Sequence, residues 1–239
     1  QKLAIGRIYG LSEIVKKGVL MLIKRTAIMN GKLIIFVIIA LITMAFSQDY
    51  STDSLAVRAI LDANGMEYIA VTDVSDTENG RIHALVLNVN QWTGTLPYAM
   101  TTLPADIGKL TELLLLDLGE NSLSVLPKEI GNCTKLEALL LHVNKLTALP
   151  PEIGNLVAMK HLFAAQNYLQ TLPKEIGNLV NLENLDLNNN RLTSLPDELG
   201  NFVKLQNLFL FDNYLEILPE SIGNLINLGI LSLRYNNLS

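Results

Sequence analysis

From residue 82 onward, apolar and polar positions follow one fixed order that recurs along the chain. One unit reads Leu136-x-x-Leu139-x-Leu141-x-x-Asn144-x-Leu146, then Leu149-Pro150-x-x-Ile153-Gly154-Asn155-Leu156. Another runs Leu182, Leu185, Leu187, Asn190, Leu192, then Leu195-Pro196, Leu199-Gly200 and Asn201-Phe202. Asparagines 121, 144, 167, 190, 213 and 236 lie 23 residues apart, whereas Asn90 precedes Asn121 by 31, an insertion of eight. Leucines at the first, fourth and sixth positions predict the inward face of a short strand, because strand side chains alternate. The asparagine marks a turn; its amide is expected to bond backbone groups inside the coil and to stack on the next asparagine. The proline lacks an N–H and suits the start of a short helical turn. Glu129, Glu152, Glu175 and Glu198 fall near that turn's positive end. The glycine predicts a tight exit. Strands take less width than helical turns, so stacked units bend with the strands on the concave side. These motif residues read as structural.

The pattern changes upstream. Residues 33–46 are a fourteen-residue apolar run, LIIFVIIALITMAF. A bilayer span needs roughly 20 apolar residues, so the run suits the core of a secretory signal better than a membrane helix. Lys32 precedes it, and Ala45-Phe46-Ser47 offers small residues for cleavage before Gln48. Met29 is a natural initiator, which makes residues 1–28 an upstream extension. The alternative is an uncleaved anchor, with residues 19–23 and 33–46 both touching the membrane. Residues 48–81 read as an N-terminal cap over the first unit's apolar edge. Ser51-Thr52-Asp53 supplies N-cap oxygens; Leu55, Ala59, Ile60 and Ala63 suggest an amphipathic helix; Asn64-Gly65 stops it. Residues 69–71 read as a short strand and 76–80 as a polar turn with Asn79-Gly80 at its tip.

Seven units over residues 82–239 resemble the leucine-rich-repeat superfamily. Their LP-x-x-IGNL half is similar to the 23-residue class of Ras-scaffold proteins, plant Ras-group repeats and bacterial surface proteins. The first unit departs from this. Asn90-x-Trp92-x-Gly94-x-Leu96-Pro97 is similar to plant-type and receptor-ectodomain repeats, and a second Leu103-Pro104 precedes Ile107-Gly108. The resemblance implies an α/β fold, a right-handed solenoid or horseshoe. Its parallel sheet would be concave, with short helical or 3-10 turns on the convex side.

Charge narrows the partners. The chain carries a net −5, split between +6 in residues 1–47 and −11 in the remainder. An acidic array repels phosphate backbones, which argues against nucleic acid. The membrane would be met only through the N-terminal segment. Cys133 is the single cysteine, so no internal disulfide forms; it takes the slot of Leu156, Leu179, Phe202 and Leu225, which predicts a buried apolar role. His142 and His161 fall on adjacent strands without a carboxylate or cysteine at ligand spacing, so no metal or other cofactor is expected. No phosphate loop, nucleophile elbow or paired-carboxylate motif appears, which argues against an enzyme.

Recognition is left to positions the repeat does not fix. The fifth position reads Val86, Asp117, Leu140, Phe163, Asp186, Phe209, Ser232; the seventh reads Asn88, Gly119, His142, Ala165, Asn188, Phe211, Arg234. The eighth reads Val89, Glu120, Val143, Gln166, Asn189, Asp212, Tyr235. Leu140, Phe163, Phe209 and Phe211 are apolar where solvent is expected. They suggest partner anchors on the concave face, with Asp117, Glu120, Asp186, Asn188, Asp212, Arg234 and Tyr235 around them. The expected function is an exported, non-catalytic module, secreted or at a cell surface, that binds a protein or a surface glycan. Alternatives are an intracellular Ras-group-like scaffold, or the ectodomain of a larger receptor kinase or bacterial ubiquitin ligase. Solenoids need capped ends, so the array reaching Ser239 in mid-unit predicts a natural chain that continues.

Overall fold

The computed structural model describes residues 52–67, 69–71, 75–78, 81–87 and 99–239. The expected export segment and the first unit's Asn90, Trp92, Gly94 and Leu96-Pro97 lie outside the described residues. Among the described residues, no helix is long and apolar enough to cross a membrane.

The 23-residue spacing becomes strand register. β1 (Ser75–Glu78) pairs antiparallel with β2 (Arg81–Val86). There follow β3 (Leu115–Asp117), β4 (Ala138–Leu140), β5 (His161–Phe163), β6 (Asn184–Asp186), β7 (Asn207–Phe209) and β8 (Ile230–Ser232). These add in sequence order, each parallel to the last. Leu116, Leu139, Leu162, Leu185 and Leu208 form one buried file. Parallel neighbours need a crossover, and here a single 3-10 turn supplies it. In the fourth unit of the chain it spans Lys174–Asn178, and the preceding Pro173 is extended, with φ −67° and ψ 142°. The Pro173 carbonyl accepts from the Ile176 N–H at 3.1 Å, and Ile176 is wholly buried. Each such buried Leu or Ile contributes roughly 1.5–3 kcal/mol.

The asparagines keep this apolar interior from stranding polar backbone. Asn167 is buried; its Oδ1 accepts from the Leu146 N–H at 3.0 Å, and its Nδ2 donates to Leu141 O at 2.9 Å and Ala164 O at 3.2 Å. Asn144, Asn190 and Asn213 repeat that pattern. The ladder is thus amide to neighbouring backbone. The expected amide stacking contributes no bond from one asparagine to the next.

The repeat geometry differs from expectation at two positions. From Gly108 to Gly200, the glycine of each 3-10 turn is demanded by the approach of the next coil and not by its own exit. A Cβ on Gly154 would stand 2.3 Å from Glu175 O. The eighth position is not an outward strand position. Glu120, Val143, Gln166, Asn189, Asp212 and Tyr235 all take a left-handed backbone with φ between 53° and 58°. The strands end at the fifth position, and this turn re-aims the chain toward the buried asparagine.

The segment before the array packs on the Ala105–Lys109 turn and β2 through α1 (Thr52–Asp62). Its buried face is Ala56, Val57, Ile60 and Leu61, while Leu55 is 56% exposed. The expected face was rotated, because Ala59 and Ala63 carry too little surface to fix it. Asp53, expected as a helix cap, instead reaches β2, where its buried Oδ2 accepts from Ile82 N and Arg81 Nε, both at 2.9 Å. Gly65 takes φ +69°, as a helix stop requires. Asn64 joins the segment to Thr102 O through Nδ2 and to Thr101 N through Oδ1. Ile69 and Val71 are buried but lie outside every strand. Residues 75–78 pair where a polar turn was expected, since Ser-Asp-Thr-Glu shows no apolar alternation to betray a strand.

Candidate functional site

In-register pairing sets Leu140, Phe163, Asp186 and Phe209 side by side in one file across β4 to β7. All four are half-buried. Strands lie about 4.8 Å apart, so Leu140 adjoins Phe163, and Asp186 separates Phe163 from Phe209. Burial raises the Asp186 carboxyl above its ordinary value, against the opposing pull of the Asn188 N–H and of His142. Asp186 Oδ1 accepts that N–H at 3.0 Å, and Asn188 Oδ1 in turn accepts from Phe211 N at 2.7 Å.

The remaining expected contacts divide by place. Phe211 meets Tyr235 edge-on with ring centroids 5.1 Å apart, and the Arg234 guanidinium lies 4.6 Å over the same tyrosine. These three form a second cluster in the last two units. Glu120 and Asp212 sit in the left-handed turn at the border of the sheet. Asp117 is placed differently from expectation. It is 4% exposed and its Oδ1 accepts from the Gly119 N–H at 2.9 Å, which withdraws it from the polar surround. The His142 ring lies where a Cβ on Gly119 would be, 2.2 Å from Cε1, and so covers that end of β3.

A third-position file went unremarked in the sequence. His161 Nδ1 and Asn184 Nδ2 are 2.9 Å apart, and Asn207 Nδ2 donates to Asn184 Oδ1 at 2.6 Å. His161 also stacks on Phe163, 6.3 Å between centroids at 5°. The fixed 23-residue offset among these three polar residues was the available signal. Beside them, Glu183, Lys204, Gln206, Asn207, Asn227 and Gly229 line an open cleft. Lys160 is raised by its bond to Glu137, 2.8 Å away. Cys133 is buried, its thiol is pushed up to about 12 by burial, and its Sγ lies 3.3 Å from Ile107 O. A thiol so placed is a packing group. Among the described residues, no three His, Cys, Asp or Glu side chains converge on a metal position. What the face presents is ring surfaces, amides and half-buried carboxylates, the means of non-covalent recognition.

Residues 151–238 match the family described as a leucine-rich repeat region. No curated protein matches the chain. Among solved structures, a Leptospira interrogans leucine-rich-repeat protein is 38% identical over 58% of this chain and 41% of its own, with a TM-score of 0.46. The PEPR1–AtPEP1 structure is 26% identical over 78% of this chain and 28% of that one, with a TM-score of 0.66. An internalin from Listeria monocytogenes is 23% identical over 66% of this chain and 43% of its own, with a TM-score of 0.54. The chain therefore spans less than half the length of each of these proteins.

Proposed function

Because the array belongs to the leucine-rich-repeat superfamily, we propose that its sheet face binds another protein and performs no chemistry itself. One observation carries this: the file Leu140, Phe163, Asp186, Phe209 places apolar side chains where the repeat requires none. Inward leucines hold each coil together, so the outward rings serve something outside it. Half-buried aromatics beside a carboxylate suit an apolar side chain flanked by a donor, as in a protein or peptide partner. The similarity to PEPR1, solved with AtPEP1, supports a binding role for the array. The apolar run at 33–46 supports export, with the array at or beyond the cell surface. N-terminal sequencing of exported protein should begin at Gln48; a start further upstream refutes cleavage there.

The face is tested by selecting peptides from a displayed library on the folded chain and measuring their affinities. Phe163→Glu with Phe209→Glu should weaken the selected peptides by at least about 2 kcal/mol, roughly thirtyfold. Circular dichroism and the urea midpoint establish that the variant is folded. Unchanged affinities in a folded variant would place recognition elsewhere.

A further inference from the structure

A second surface lies on the flank where the chain leaves the asparagine turn. Lys145, Tyr168, Arg191 and Tyr214 each follow the buried asparagine of consecutive units. Their backbones are rungs of one ladder, donating to Leu123 O, Leu146 O, Leu169 O and Leu192 O at 2.8 to 2.9 Å. The side chains therefore stand in a file at the strand spacing, cation alternating with ring, and Lys145 and Arg191 are about 10 Å apart. All four are exposed, Tyr168 by 42% and Tyr214 by 53%. The Arg191 guanidinium is 4.6 Å over the Tyr168 ring, which orients it.

The cations of this file have no carboxylate partner. Arg58, Arg81, Lys109, Lys135 and Lys160 are each paired with a carboxylate. Lys145 and Arg191, like Lys128, Lys174, Lys204 and Arg234, are not. The adjacent eighth-position file reads Val143, Gln166, Asn189 through these units, and the twelfth reads Thr147, Gln170, Thr193. Carboxylates return in these files at Glu120, one coil before Lys145, and at Asp212 and Glu216, in the unit of Tyr214 itself.

We propose that this flank binds an acidic polysaccharide, a linear chain whose sugar rings carry carboxylates. Lys145 and Arg191 would meet carboxylates two rings apart, Tyr168 between them would hold the stacked Arg191 guanidinium in place, Tyr214 beyond Arg191 would underlie a sugar C–H face, and Gln166 and Gln170 would bond hydroxyls. A periodic ligand matches a periodic file. A peptide fits less well: the backbone N–H groups of the file are already donated within the array, so none is left to pair with an added strand.

Polygalacturonate is the probe, titrated into the full chain by calorimetry and compared with its fully methyl-esterified form and with poly-L-glutamate. Saturable binding of polygalacturonate alone is expected. Combined Lys145→Gln, Tyr168→Ala and Arg191→Gln should weaken it by about tenfold or more with the urea midpoint unchanged. The sheet-face variant Phe163→Glu with Phe209→Glu should bind it as the parent does, so this proposal and the protein-binding reading can fail separately. The proposal is overturned by absence of saturable binding, by equal binding of the ester or of poly-L-glutamate, or by an unaltered triple variant.

Discussion

Successive 3-10 turns approach one another closely at their glycines, and Gly154→Ala probes that approach directly. An ideal Cβ at Gly154 would stand 2.3 Å from Glu175 O and 2.9 Å from both Glu175 C and Cβ. Ordinary contact begins near 3.4 Å, so the methyl overlaps a backbone carbonyl by more than 1 Å. That carbonyl belongs to the turn of the following unit and cannot rotate away as a side chain would. Overpacking of this kind costs about 1–3 kcal/mol. The backbone at Gly154 is not left-handed, so alanine also gains about 0.4–1 kcal/mol by restricting the unfolded chain. The net expectation is a loss of about 1–2 kcal/mol, read as a lower urea midpoint at unchanged slope. Gly223→Ala is the matched control. It occupies the same place in its turn, nothing lies within 4 Å of its Cβ, and only the gain remains. Gly131→Ala, where the nearest backbone oxygen is 2.6 Å away, should fall between the two. If Gly154→Ala were as stable as the parent, or if both alanines shifted the midpoint equally, close approach would not be the reason for the glycine file.

Asn167→Ala removes the partner of Leu146 N and Leu141 O in a buried setting and should cost about 2–4 kcal/mol in the same assay; Asn236→Ala, half-buried, should cost less. Val143 is a β-branched residue at φ 55°, where L-residues pay about 1–2 kcal/mol, so Val143→Asn should raise the urea midpoint, and a lower midpoint contradicts the strain argument. Asp186 has a raised carboxyl, so its protonated form is favoured by folding, and the associated stability declines as pH rises between the ordinary and the raised value. Asp186→Asn should therefore gain on the parent as pH rises from the ordinary carboxylate value toward the raised one, and a difference that does not change with pH would show that burial does not perturb the group.

The sequence made the coils legible because periodicity and packing state the same constraint. Leu139, Leu162 and Leu185 are recognisable as a core file since each repeats at the interval that stacks one strand on the next. The polar strand at 75–78 escaped for the opposite reason. Nothing apolar marks its register, which is set by pairing with β2. Asp53 likewise offers a helix-cap signature in a local window, yet its partners lie 28 and 29 residues away.

Site residues were legible by column and not by use, and the two fifth-position aspartates show why. Asp117 and Asp186 occupy equivalent strand positions, and each accepts the N–H two residues onward. They differ in what the seventh position allows. Gly119 has no side chain, so His142 from the next coil lies over it, and Asp117 beside it is sealed from solvent. At the equivalent place Asn188 carries its own side chain, spends its Oδ1 on Phe211 N, and Asp186 stays half-exposed between two rings. A partner could reach one carboxylate and not the other, although the repeat pattern alone treats them as the same. The free columns of such an array therefore need to be read in pairs of adjacent coils, because the residue one coil onward decides whether a variable position is surface at all.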